Sequence, residues 1–100
     1  MPIAQIIDMP GAGVREYEAA FALIHPDGAW PDGQISHVAG PTPDGFRVID
    51  VWESREAFER FERDVLAPLG FAGAPLMEFP VHNVIGVGSP SRLPGGRVAR

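Results

Sequence analysis

The chain of 100 residues contains no cysteine. That removes a disulfide framework, thiolate chemistry and any metal site built on sulfur. Lysine is missing as well. All eight basic residues are arginine, set against thirteen acids, for a formal charge of −5. Arg92, Arg97 and Arg100 lie in the last stretch, so the body carries five arginines and a formal −8. Such a body lacks the basic footprint that nucleic acid requires. No apolar run is long enough to span a bilayer, so no membrane partner is expected. The start, MPIAQIIDMP, has no basic n-region and meets Asp8 early, unlike a signal peptide. A cytoplasmic protein is the default expectation. A glycine-rich phosphate loop and a serine nucleophile elbow are both lacking. The three histidines are scattered without close spacing, a weak basis for a metal, and no metal or other cofactor is expected.

What is present centres on residues 46–69, FRVIDVWESREAFERFERDVLAPL. Phe46, Val48, Asp50 and Trp52 alternate with Arg47, Ile49, Val51 and Glu53, which predicts a strand with large apolar groups on both faces. A half-solvated strand would have one clean polar face, so both sides of this one should be covered. Ser54 stands where a helix N-cap is wanted, with Glu56 in the first turn. Phe58, Phe61, Val65 and Leu69 then make one apolar stripe. Glu56 with Arg60 and Glu59 with Arg63 are i,i+4 pairs on a solvated face. Pro68 and Gly70 end the helix.

Before this segment, residues 2–8 read as a first strand and 14–24 as a helix whose stripe is Tyr17, Ala20, Phe21 and Ile24. No Ser, Thr, Asp or Asn caps that helix, so its start should fray. Residues 25–33 are a turn-rich loop around Trp30, which serves either as a lid on the core edge or as a wall of a ligand pocket. Residues 34–40 form the next strand, with Ile35, His37 and Ala39 on one face, and a short turn at 41–45 makes it a hairpin with the central strand. Residues 76–87 read as a last strand interrupted or held at an edge by Pro80. Residues 1–87 make the domain; 88–100, rich in Gly, Pro and Arg, make a flexible tail.

The order β-α-β-β-α-β implies an α+β, ferredoxin-like fold, a four-stranded antiparallel sheet with two helices on one face. Two helices cover one face only. The apolar residues of the other face then need a cover from outside the chain, and a homodimer with sheets face to face is the simplest answer.

The strings His37-Val38-Ala39-Gly40-Pro41, Asp44-Gly45-Phe46-Arg47-Val48 and Val51-Trp52-Glu53-Ser54-Arg55-Glu56-Ala57-Phe58 resemble the dimeric α+β barrel superfamily, especially its antibiotic-biosynthesis-monooxygenase-like branch. The resemblance implies a homodimer whose two sheets form a barrel, with a pocket in each subunit. It extends to cofactor-free ring oxygenases, small polyketide cyclases and haem-degrading enzymes. The second helix carries no histidine to serve as a haem ligand, and the Asn/Trp/Arg set of a ring oxygenase has no matching motif beyond Trp52 and Asn83.

Asp50, amid Val48 and Trp52, is the anomalous residue, since a carboxylate on a covered strand needs a partner or a pocket. If register sets it opposite His37, it fixes the imidazole tautomer for work as a general base. An equally simple role is a hydrogen-bonded pair that ties two strands. His82 is the third candidate acid–base group. Tyr17, Trp30, Trp52, Phe79 and Asn83 are the candidate ligand contacts. Two functions follow from these residues. One is binding of a small aromatic molecule, or a non-catalytic scaffold; the other is a cofactor-independent monooxygenase or polyketide-cyclase-like enzyme using His37 and Asp50.

Overall fold

The computed structural model describes residues 1–71 and 73–85. The chain runs β1 (Ile3–Pro10), α1 (Val14–Ile24), β2 (Gln34–Thr42), β3 (Gly45–Trp52), α2 (Arg55–Phe61, followed by a π-helical turn, Glu62–Leu66) and β4 (Met77–Pro80). The strands form one antiparallel sheet in the order β2-β3-β1-β4. Phe46, Asp50 and Trp52 share one face of β3 by alternation. Tyr17 of α1 stacks on Phe46, and Phe58 and Phe61 of α2 pack on Trp52, so both helices cover that same face. This is the ferredoxin-like α+β arrangement. The expected tail at 88–100 lies outside the described residues.

The hairpin closes through Pro43 and Asp44, with Thr42 paired to Gly45. Gly45 is required there because β1 passes close by: a Cβ would run into the Met9 carbonyl. Gly33, before β2, has φ +85°, and a Cβ on it would lie 2.5 Å from that of Ala57.

Local chemistry corrects four sequence readings. First, β2 carries a bulge: Gln34 pairs with Trp52 but Ser36 with Val51, so Ile35 is an extra residue. Gln34, rather than Ile35, therefore shares the helix face with His37. Second, α1 has no side-chain cap at Gly13, but Glu16 Oε1 accepts the Gly13 N–H at 2.8 Å and holds the end predicted to fray. Third, the π-helical turn adds a residue to α2, so Leu66 reaches the core in place of Val65 while Leu69 is exposed. The predicted i,i+4 pairs are not among the described ion pairs; Arg63 turns to Asp64 and Arg55 crosses to Glu78. Fourth, β4 stops at Pro80 instead of running through 76–87, on the sheet edge, where a residue without an N–H is tolerated.

The core is small. Trp52, 1% exposed, packs with Ile3, Ala57 and Phe58, and Phe61 and Leu66 close around them. Ser54 Oγ accepts the Ala57 N–H at 3.1 Å, so the cap anticipated for α2 fixes how its Phe58 and Phe61 meet the strand.

The other face of the sheet carries Ala4, Ile6, Ile49, Val51, Met77 and Phe79, which the register sets side by side. At its end Arg47 donates twice to Asp8, at 2.6 and 2.8 Å. That hydrogen bonding, aided by the opposite charge, holds the Asp8 carboxyl below its usual value.

Candidate functional site

Under α1 the helix face of the sheet is not filled. A cavity of about 190 Å³ lies between α1, α2 and the strands. An apolar cavity of about 150 Å³ is enough to hold benzene, so this one suits a substituted ring or two fused rings. It is smaller than the ~300 Å³ at which drug-sized sites begin. Its position explains why the α1 stripe, Tyr17, Ala20, Phe21 and Ile24, is only half-buried: these residues face the cavity rather than the sheet. Aromatic rings run round its wall. Tyr17 stacks on Phe46, Phe21 meets His25, His25 stacks on Phe61, and Phe61 meets Trp52, at centroid separations of 4.6 to 6.1 Å.

One part of the wall is polar. Register places His37 of β2 opposite Asp50 of β3. His37 Nδ1 lies 2.6 Å from Asp50 Oδ1, and Gln34 Nε2 donates to the same oxygen at 2.8 Å. The far ring nitrogen, Nε2, lies 2.5 Å from the Tyr17 hydroxyl. An ionised carboxylate only accepts, so with Asp50 ionised Nδ1 carries the imidazole proton and donates it, while Nε2 accepts from Tyr17. The four side chains come from α1, β2 and β3 and form one hydrogen-bonded chain.

The structure thus brings together His37, Asp50, Tyr17 and Trp52 at one cavity. Trp30 is elsewhere: its Nε1 donates to the Gln34 carbonyl at 2.6 Å, and its ring borders an outer cleft with Asp27, Asp32, Arg60 and Asp64. Phe79 pairs with Ala4 and stands on the opposite face of the sheet, 45% exposed. His82 and Asn83 follow the end of β4, exposed, and do not border the cavity. Parity explains both outcomes, because β4 ends at Pro80 and alternation cannot be carried past it.

Two contributors escape a reading of the sequence. Gln34 needs the bulge to reach Asp50, and alternation alone gives no sign of a bulge. His25 sits in a turn-rich stretch, where nothing local says that its ring will stack on Phe61 of α2. Trp52 Nε1 and Gln5 Oε1 are also buried with no hydrogen-bonding partner among the described residues, a donor and an acceptor on diagonal positions of β3 and β1.

No protein-family profile matches the chain, and no curated protein matches its sequence. Solved structures do match. A candidate antibiotic biosynthesis monooxygenase from Chloroflexus aurantiacus J-10-fl is 20% identical, with 88% of this chain and 100% of that one covered and a TM-score of 0.60. A haem-degrading protein of Mycobacterium tuberculosis, in a haem-free structure, is 25% identical over 86% of this chain and 100% of its own, at 0.59. SnoaB, a cofactor-independent oxygenase from Streptomyces nogalater, is 16% identical over 85% and 95%, at 0.55. The chain has the fold of antibiotic-biosynthesis-monooxygenase-like proteins, as its sequence strings suggested.

Proposed function

We propose that a chain with this fold works as a homodimer, each subunit binding a small, neutral, ring-shaped molecule in the cavity beneath α1. The observation that carries the reading is the cavity itself: apolar and aromatic walls with a single polar cluster, the usual make-up of a small-molecule site. A scaffold without a ligand has no need to leave α1 standing off the sheet. Neutrality follows from the lining, which holds the Asp50 carboxylate and no arginine; an anion brought there would be desolvated without a counter-charge. Haem does not suit these residues. The described length of α2 has no histidine, His25 and His37 are engaged by ring stacking and by Tyr17 and Asp50, and the volume is small for a porphyrin.

The second copy is argued from the other sheet face, where Val38, Ile49, Met77 and Phe79 are 58, 37, 54 and 45% exposed. A neighbouring set of this kind marks an interface, and a two-fold pairing of identical faces covers it with one contact. A thermal-shift series with neutral one- and two-ring compounds tests the binding. A ligand at a hundred times its Kd adds about 2.7 kcal/mol of stability; no shift from any member of the series would sink the reading. Sedimentation at micromolar concentration tests the dimer, and a lone 10.8 kDa species would end it.

A cofactor-independent monooxygenase or polyketide-cyclase-like enzyme working through His37 and Asp50 is the second reading. It is favoured by one observation, the hydrogen-bonded imidazole–carboxylate pair set in the wall of an apolar cavity. The description of SnoaB as a cofactor-independent oxygenase supports it by analogy of fold alone.

A further inference from the structure

We infer that Tyr17, rather than His37, is the group that meets the ligand, and that the Tyr17–His37–Asp50 chain gives the cavity a proton-transfer activity, the enolisation of a neutral ring-bearing ketone. The inference rests on the cavity being a binding site. With Asp50 ionised, its oxygen takes the Nδ1 proton and leaves Nε2 as the accepting nitrogen, and the Tyr17 hydroxyl covers Nε2 at 2.5 Å. A molecule in the cavity therefore reaches the imidazole only through the phenol oxygen. Tyr17 carries the one hydroxyl among the described lining residues, and a phenol oxygen accepts as well as donates. A hydroxyl backed by an imidazole that is itself oriented by a carboxylate is the arrangement in which a weakly basic oxygen gains a proton acceptor behind it. Gln34, donating to the same Asp50 oxygen at 2.8 Å, holds the carboxylate in place.

The step balances without an oxidant or a second reactant. The Tyr17 oxygen takes a proton from the carbon beside the ketone while its own proton passes to His37 Nε2. The C–H electron pair becomes the double bond of the enolate, and the ketone oxygen takes the negative charge. The imidazolium stands against Asp50. Reversal returns a proton to carbon, and in heavy water the proton returned is a deuteron. Apolar walls select the ring, and the lack of arginine in the lining selects a ketone over a carboxylate or phosphate.

The test uses 2-tetralone, a two-ring ketone, with the whole chain in heavy water. Exchange of its C1 hydrogens is followed by NMR, and binding is measured separately by titration. The wild-type chain should raise exchange over buffer by about 10²–10⁴, the range of a positioned acid–base group. Tyr17→Phe should return exchange to the buffer rate with binding within a few-fold of wild type. His37→Gln should do the same, which a purely structural role would not, because binding would then fall along with exchange. Binding without exchange in the wild type overturns the relay and leaves the binding site standing. Exchange retained in Tyr17→Phe overturns the assignment to Tyr17. Absence of binding overturns both the relay and the cavity as a site for such compounds. Circular dichroism on each variant separates a lost group from a lost fold, and the milder Asp50→Asn, which keeps an accepting oxygen for His37, should give an intermediate rate if the relay holds and the wild-type rate if it does not.

Discussion

The two faces of this sheet are made by the same strands, yet they invert the ordinary rule. The face hidden under the helices holds the polar groups: Gln5, Gln34 and Asp50 are all buried beside Trp52 and Val48. The face left open holds Val38, Ile49, Met77 and Phe79. A monomer selected only for stability would reverse these, since buried polar groups cost free energy unless paired and exposed apolar groups forgo burial. The inversion makes sense if the inner face is a site and the outer face an interface.

The inversion can be broken from either side. The largest effect should come from Trp52→Ala, which empties the centre of the inner face and should cost about 3–5 kcal/mol in denaturant unfolding. A loss below ~1 kcal/mol would mean that the cavity already leaves Trp52 poorly packed. Next, Asp50→Ala leaves the His37 and Gln34 donors without their acceptor and should cost about 1–3 kcal/mol; a stabilised variant would show that the polar cluster is kept for chemistry at the expense of the fold. Gly33→Ala, at a left-handed position tight against Ala57, should lower stability by about 1–3 kcal/mol.

The outer face answers to a different measurement. Ile49→Glu should hardly alter the unfolding of the separate subunit, but should weaken self-association by about 1–3 kcal/mol, roughly five- to a hundredfold in dissociation constant. Equal sedimentation of wild type and variant would leave the outer face unexplained. The smallest effect concerns its rim. Asp8 is held below the usual carboxylate value chiefly by the Arg47 hydrogen bonds. The folded state thus binds fewer protons there than the unfolded chain. The resulting stability is fully present above about pH 3.9 and is lost as pH falls through the folded value. Asp8→Asn should therefore flatten the acid limb of a pH–stability curve and leave neutral pH nearly untouched; an unchanged acid limb would show the pair to be inert.

Much of this was legible in the chain itself. Val14–Ile24 begins and ends where its periodicity says, because one apolar stripe bounded by Gly13 and a Pro26-containing turn admits few alternatives. Alternation placed Phe46, Asp50 and Trp52 on one face, and Ser54 marked the start of α2. The site was less legible. His37 and Asp50 were candidates on chemistry, but their distance depends on register across a hairpin. Phe79 was offered as a ligand contact and lies on the opposite face, because strand parity in β4 is set by its pairing with β1 and not by its own residues.

By itself, then, the sequence determined the order of elements, the apolar stripes and the excess of apolar sheet, since all three depend on local periodicity and composition. Tertiary structure alone decided that an extra residue at Ile35 turns Gln34 inward, that a π-helical turn exchanges Val65 for Leu66, and that Tyr17 of α1 lands on His37 of β2. Each depends on how separate segments settle against one another, and a shift of one residue or a few ångströms there changes which side chains meet.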